Sequence, residues 1–235
     1  MRACVCLPTY NEAENLERML RRLAELVGPE DVVLVIDDSS PDGTGRIAEE
    51  LAQELPFVRV LHRATKEGLG PAYIAGFHWA LDAGAELVLE MDCDFSHDPA
   101  DVPRLIATAE EGADLVLGSR YVDGGGVVNW SLLRRFISAG GSTYARILLG
   151  VGIRDLTGGF KCYRRAVLEA IDLDTIDARG YAFQIQTTYR ALRHGFRVVE
   201  VPITFTDRVL GGSKMSKAIV LEAIWKVPVL RVKRG

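Results

Sequence analysis

The sequence predicts an α/β fold: a mostly parallel twisted sheet flanked by helices. Two observations predict it. Through the first half of the chain, short apolar runs alternate with segments of helical periodicity, the pattern of strands joined by crossover helices. The runs are apolar at nearly every position rather than at every second one, as expected for strands covered on both faces. A third observation locates the chemistry: one run ends in Asp92-Cys93-Asp94, and open sheets of this kind bind ligands at their strand ends.

The elements follow in order. Ala3 to Leu7 is a short apolar strand, with Cys4 and Cys6 on one face. From Asn11 to Val27, Leu16, Met19, Leu20, Leu23 and Leu26 recur at helical spacing. Val32 to Ile36 is a strand that runs into Asp37-Asp38. Asp42 to Leu55 is a helix capped by Asp42 or Ser40. Val58 to Leu61 is a strand, Gly70 to Ala83 a helix, and Glu86 to Met91 the strand before the paired aspartates. On a strand, residues two apart share a face, so Asp92 and Asp94 are expected side by side. Asp101 to Glu111 is a helix and Asp114 to Leu117 a strand. Beyond Gly118 the rhythm changes. Gly124-Gly125-Gly126 reads as a flexible loop, Ser131 to Leu149 as an amphipathic helix and Thr157 to Phe160 as a turn. Gly180 to His194 is a helix, Phe196 to Val201 a strand, and Ser213 to Leu230 helical until Pro228.

Composition narrows the function. With 235 residues and 48% hydrophobic content, the chain can bury a large single core. A net charge of −4 gives no general affinity for nucleic acid. The last segment differs: Arg208, Lys214, Lys217, Lys226, Arg231, Lys233 and Arg234 face only Glu222 as an acid. That end suits either an anionic surface or plain solvation. No leader is expected, because strand-like sequence begins at Arg2. No membrane-spanning helix is expected either, because no run of about 18 apolar residues occurs. Four cysteines without metal or disulfide spacing read as free thiols in a reducing cytoplasm.

Four strand-end segments would emerge on one edge of a parallel sheet: Pro8-Thr9-Tyr10-Asn11-Glu12, Asp37-Asp38-Ser39-Ser40, Asp92-Cys93-Asp94 and Gly118-Ser119-Arg120-Tyr121. Carboxylate oxygens at Asp92 and Asp94 suit Mg²⁺ or Mn²⁺, and the metal suits a diphosphate. Tyr10 offers an aromatic wall for a base, and Glu12 and Asp38 offer acceptors. Asp37-Asp38 could equally cap the next helix. Gly68-Leu69-Gly70 is either a phosphate cradle or a simple turn. His97 could be a metal ligand, a phosphate contact or a supporting hydrogen-bonder, and the last is favoured because oxygen-rich metal sites need no imidazole.

These segments resemble the inverting nucleotide-diphospho-sugar glycosyltransferases of the GT-A fold. More narrowly, they resemble the polyprenol-phosphate (dolichyl-phosphate) mannose synthases. Further segments carry the likeness: Lys66-Glu67-Gly68-Leu69-Gly70, Asp155-Leu156-Thr157-Gly158-Gly159-Phe160, Gly180-Tyr181-Ala182-Phe183-Gln184 and Gly211-Gly212-Ser213-Lys214-Met215-Ser216. The resemblance implies one glycosyltransferase domain. Residues 1–120 would be its nucleotide-sugar half and residues 121–235 its acceptor and lipid half. It implies GDP-mannose as donor, polyprenyl phosphate as acceptor, and a Mg²⁺ or Mn²⁺ cofactor. Pro8, Tyr10, Glu12 and Asp38 would hold the guanosine, with Lys214 closing over the donor beside Ser213. Asp92 and Asp94 would sit at metal and diphosphate. Arg120, one of Arg134 or Arg135, and Arg208 would surround the phosphates. An enzyme of this compact form would work peripherally on the cytoplasmic membrane face, reaching lipid by its own surface or through a membrane-anchoring partner protein. A related transferase using UDP-glucose, or a weakly active subunit needing a membrane partner, are the competing readings.

The pattern is broken at two places: Gln186 stands where the resemblance leads one to expect an acid, and the C-terminal membrane helices that many members carry are not expected here. For the lipid, Leu132, Leu133, Phe136, Ile137, Ile147, Leu148 and Leu149 offer one apolar path. Met215, Ile219, Val220, Ile224, Trp225, Val227 and Leu230 offer another, on a helix able to lie in a membrane interface.

Overall fold

The computed structural model describes residues 1–178, 180–207 and 217–232. The strands of the main sheet are β1 (Ala3–Thr9), β2 (Val32–Asp37), β3 (Val58–His62), β4 (Leu87–Glu90), β5 (Leu115–Ser119), β7 (Lys161–Arg164) and β8 (Val198–Pro202). Their order is β3-β2-β1-β4-β7-β5-β8. β6 (Gly126–Val128) and β9 (Thr204–Thr206) pair in parallel as a small second sheet. The helices are α1 (Ala13–Ala24), α2 (Thr44–Glu54), α3 (Leu69–Asp82), α4 (Val102–Glu110), α5 (Leu132–Leu149), α6 (Arg165–Ala170), α7 (Gly180–Arg193) and α8 (Lys217–Val232).

The mostly parallel sheet expected from the sequence is present, with one exception at its centre. β7 runs antiparallel to both β4 and β5. The sequence reading placed a turn at Thr157 to Phe160 and no strand after it. Lys-Cys-Tyr-Arg is too short and too charged to read as a buried strand. Because β7 reverses direction, β4 and β5 remain parallel to each other, and their C-terminal ends still meet on one edge. β7 comes from the second half of the chain and lies between two strands of the first, so the halves interlace in one sheet.

Alternation along each strand builds the core on both faces. Cys4, Cys6, Leu34, Ile36, Val88 and Leu117 pack with Tyr73 and Phe77 of α3 and Phe183 of α7 on one face. Val5, Leu7, Val33, Val35, Leu89 and Val116 pack with α1 and α4 on the other, through Leu16, Met19, Leu105 and Ile106. Each such fully buried side chain contributes about 1.5–3 kcal/mol. All four cysteines are buried and none forms a disulfide.

Local chemistry sets the helix ends. Asp42 accepts from the Thr44 N–H at 3.0 Å and from the Ala13 N–H at 3.1 Å, so one carboxylate caps both α2 and α1. Ser131 caps α5 by accepting from the Arg134 N–H at 3.3 Å, and Gly150 closes that helix in the left-handed conformation. The Gly124-Gly125-Gly126 segment is a close backbone approach rather than a free loop. The Gly125 N–H donates to the Val122 carbonyl at 2.9 Å, and a Cβ at Gly125 would lie 2.5 Å from the Ser119 carbonyl oxygen.

Gly70, in the first turn of α3, faces the Ala178 carbonyl oxygen, which a Cβ would approach to 2.8 Å, and the Phe183 ring at 3.1 Å. Backbone cannot move aside as a side chain can. Gly70→Ala is therefore expected to destabilise the fold by about 1–3 kcal/mol, the usual cost of overpacking. Urea denaturation followed by circular dichroism measures it.

Candidate active site

Four strand ends deliver side chains to one edge. At the first two, β1 and β2 stop beside each other, with Thr9 paired to Asp37. Asp37 is buried and closes its own turn: it accepts from the Ser40 hydroxyl at 2.5 Å and the Ser40 N–H at 3.2 Å. Asp38 points elsewhere. It is buried, and one oxygen accepts from the Arg63 guanidinium at 2.6 Å. Arg63 also reaches Glu67 at 2.6 Å. Burial raises the Asp38 carboxyl above its ordinary value although Arg63 pulls it the other way. Glu12 is buried and accepts from the Asn15 amide at 2.9 Å, while Pro8 and Tyr10 are half-buried. The Lys66 ammonium lies over the Tyr10 ring, 3.6 Å from its centre. Arg63 was not anticipated. It follows β3, 25 residues from Asp38, and only the strand order brings the two together.

The paired aspartates do not sit on a strand. β4 ends at Glu90, so Asp92 and Asp94 occupy the turn beyond it, and the expectation of two carboxylates on one strand face is corrected. Phe95 takes a left-handed φ of 59° there, and Asp94 folds back to accept from the Ser96 N–H at 2.9 Å. The two carboxylates thus differ: Asp94 is 7% exposed and Asp92 is half-buried. Asp92 lies 3.5 Å from the Tyr73 hydroxyl, and its N–H donates to His97 Nδ1 at 3.4 Å. His97 is wedged against Phe160 and Phe205. Burial pushes its pKa down to about 4 against the pull of Asp94. His97 is therefore a neutral acceptor supporting the turn.

At the end of β5, Arg120 is buried and held by Asp155. Nε donates to one carboxylate oxygen at 2.7 Å and Nη2 to the other at 2.7 Å, with Nη2 also donating to Thr157 at 2.9 Å. Burial opposes the charge, but Asp155 outweighs it and holds the guanidinium above its ordinary value. Trp130, Tyr121 and Phe205 surround it with ring centres 5.3–5.6 Å away. The two candidate arginines of α5 separate clearly. Arg134 turns inward over Trp130 and pairs with Asp207 at 2.6 Å. Arg135 is exposed and donates to the Val127 carbonyl at 3.0 Å. Among the described residues, Trp130 Nε1 and Arg134 Nε are buried donors without a hydrogen-bond partner.

The edge is closed by α7. Burial raises the Tyr181 phenol above its ordinary value; Arg120 and Arg134 lower it, and Asp92 and Asp155 raise it. Those four charged groups all act on one phenol, which the sequence motif contained but did not single out. Gln186, where an acid was expected, is 2% exposed, and its Oε1 has no partner among the described residues. Of the other expected site residues, Arg208, Ser213 and Lys214 lie outside the described residues.

The apolar paths divide. Leu132, Phe136 and Ile147 on α5 are exposed, Phe136 by 75%, and Trp225 on α8 by 77%. Leu149 and Val227 are core residues instead. The side chains of Leu133, Met215, Ile219, Val220 and Ile224 lie outside the description. No described helix is long and apolar enough to cross a membrane.

The donor set fits a hard divalent ion shared with a ligand. Asp92 and Asp94 offer only carboxylate oxygens, and among the described residues no group of three or more His, Cys, Asp or Glu side chains forms a complete cage. Mg²⁺ is commonly held in this way, by one or two carboxylates with phosphates and water completing the shell.

Comparison with known proteins shows the family and the fold. The sequence profile of glycosyl transferase family 2 matches residues 4–172. The chain is 53% identical over 227 residues to a polyprenol monophosphomannose synthase of Mycolicibacterium smegmatis, covering 96% of this chain and 85% of that protein. It is 54% identical over 227 residues to an undecaprenyl-phosphate mannosyltransferase of Micrococcus luteus, covering 97% and 93%. Among solved structures it is similar to glucosyl-3-phosphoglycerate synthase of Mycobacterium tuberculosis in complex with phosphoglyceric acid. The TM-score is 0.72 at 20% identity, covering all of this chain and 81% of that one. The same enzyme in complex with Mn²⁺, UDP-glucose and phosphoglyceric acid gives 0.71 at 19%, with equal coverage. These likenesses identify the GT-A fold.

His97 generates a test by pH. Its pKa in the fold is about 4, below the ordinary 6.5, so the unfolded chain takes up the proton first as pH falls. Stability is then lost between about pH 6.5 and 4, by at most about 1.4 kcal/mol per pH unit from this group. Urea unfolding at several pH values should show that limb, and His97→Gln should flatten it.

Proposed function

The chain belongs to glycosyl transferase family 2, and from that premise we propose that it transfers mannose from GDP-mannose to a polyprenyl phosphate, with inversion at the anomeric carbon. The observation that carries the reading is identity above 50%, across nearly the whole chain, to two proteins named for polyprenyl-phosphate mannosyl transfer. The architecture supports it. Residues 1–120 supply the nucleotide end, through Pro8, Tyr10, Glu12 and Asp38. Residues 121–235 supply the acceptor end, through Arg134, with Arg208, Ser213 and Lys214 as further members by resemblance.

The chemistry follows from charge. A phosphate monoester has a second pKa of about 6, so the acceptor oxygen is largely ionised at neutral pH and needs no general base. The difficulty is to hold two anions together. Arg120 is suited to this because Asp155 fixes its plane and its charge in an aromatic, water-poor surround, so no reorganisation is needed as charge shifts. Arg134 adds a second cation on the α5 side, while the exposed Arg135 is less suited. Asp92 and Asp94 would hold Mg²⁺ or Mn²⁺, which when bound supplies Lewis-acid stabilisation of the leaving diphosphate. Tyr181, whose phenol is acted on by Asp92 and by both arginines, would orient the group passed from donor to acceptor. Direct displacement from an α-linked donor gives a β-linked product. The exposed apolar face of α5 and Trp225 suit a lipid chain and a peripheral place on the cytoplasmic membrane face, with or without an anchoring partner.

The test uses labelled GDP-mannose, a short polyprenyl phosphate and Mg²⁺ or Mn²⁺, counting label that moves into organic solvent. Metal-dependent transfer abolished by EDTA is expected; transfer from UDP-glucose instead would replace the donor assignment. Asp94→Ala should lower turnover at least a thousandfold, and substantial residual activity would remove the metal assignment. Arg134→Ala should raise the KM for the lipid phosphate at least tenfold, and Arg135→Ala should change it less than threefold.

A further inference from the structure

A polar cluster lies directly beneath the aspartate turn, and the transfer chemistry leaves it unused. Glu90, the last residue of β4, and Lys161, the first of β7, are register partners, and neither is exposed at all. Glu90 accepts from the Tyr163 hydroxyl at 2.5 Å and from the Gln184 amide at 2.6 Å. Lys161 Nζ donates to the Gln184 carbonyl at 2.9 Å and to the Thr187 hydroxyl at 3.1 Å. Burial lowers the Lys161 pKa to about 8, against the pull of Glu90 and Asp155.

Stability alone does not account for this pair. Buried charges lose their hydration, and well-packed apolar replacements are often as stable or more so. What the cluster does is join elements. Glu90 lies two residues before Asp92, and both hydrogen bonds of Lys161 go to α7. An ammonium held by one carbonyl and one hydroxyl of a helix fixes that helix along its axis as well as in depth, which apolar packing does less sharply. α7 carries Tyr181, whose phenol is acted on by the charges of Arg120, Arg134, Asp92 and Asp155.

We propose that Lys161 is a positioning residue: with Glu90 it locks α7 to the strand that leads into Asp92 and Asp94, and so sets Tyr181 against the sugar-diphosphate end of the donor. The inference rests on the donor reading above. It predicts a selective defect, because the nucleoside end is built from β1, β2 and the residues after β3, which Lys161 does not touch.

The experiment compares the full-length wild type with Lys161→Met and Thr187→Val, using calorimetric Kd values for GDP and GDP-mannose with Mn²⁺, and kcat and KM for transfer. Both variants should bind GDP within twofold of wild type. Lys161→Met should weaken GDP-mannose binding or lower kcat at least tenfold, and Thr187→Val should do so less. Should Lys161→Met not fold, the isosteric Thr187→Val carries the same comparison. Parallel weakening of GDP and GDP-mannose would mean a general structural role and overturn the proposal, as would wild-type values in both variants. A wild type that binds GDP but not GDP-mannose, or neither, is seen before any variant is compared; it would overturn the donor reading and this inference with it.

Discussion

A guanidinium buried at the end of a strand must be paired, and the way Arg120 is paired organises half of the molecule. Leaving such a charge without its partner would cost about 3–5 kcal/mol. Asp155 therefore has to be brought to it, from 35 residues away in the chain. The segment that brings it is itself tied down: Glu200 of β8 accepts from the N–H groups of Arg154 and Asp155 at 2.8 and 2.9 Å. Thr157 bridges Arg120 to Ser142 of α5. From Phe160 the chain is then aimed into the gap between β4 and β5, where β7 forms. One ion pair thus anchors α5, the segment before β7 and β8 around the end of β5.

The same edge shows a division of labour among like residues. Asp37 and Asp38 are adjacent, yet one closes a turn through Ser40 and the other faces Arg63. Asp92 and Asp94 share one turn, yet one is buried and the other half-buried. Arg134 and Arg135 are adjacent on a helix, so they point about 100° apart, and only one turns toward Trp130. In each pair the chemistry is the same and the direction of the backbone decides the use. That is why a motif written as residue types describes the site incompletely.

Much of the fold was legible because its signals are local. Apolar runs of strand length and helical spacing of Leu16, Met19, Leu20 and Leu23 report burial within a few residues. Parallel strands then bring the ends at Thr9, Asp37, Glu90 and Ser119 together without further information. The remainder depended on contacts made across the chain. β7 carries Lys161 and Arg164 in four residues, and it is a strand because β4 and β5 offer two unpaired edges. β6 and β9 are three residues each and stabilise each other. The partnerships of Asp38 with Arg63, of Arg120 with Asp155 and of Glu90 with Gln184 leave no periodic trace. The apolar run continues through Met91 and so predicts a strand reaching the aspartates, whereas ladder pairing stops at Glu90.

α5 bears on how an amphiphilic acceptor can be handled at all. Such a molecule presents a dianionic head and a hydrocarbon tail, which ordinarily need different surfaces. On the reading proposed above, α5 offers them different faces of one helix. Ser142, Ala145 and Leu149 are buried against the protein, and Ser142 reaches the Arg120 cluster through Thr157. On the opposite face Leu132, Phe136 and Ile147 are bare to solvent. Single exposed apolar residues are ordinary, but several on one face beside a site mark an interaction surface. Arg134, in the first turn of that helix, lies on the buried side with Ala145, over Trp130. On the proposed reading, the polar side of this helix belongs with the head group and its bare side with the hydrocarbon, so one element can serve both ends of the acceptor.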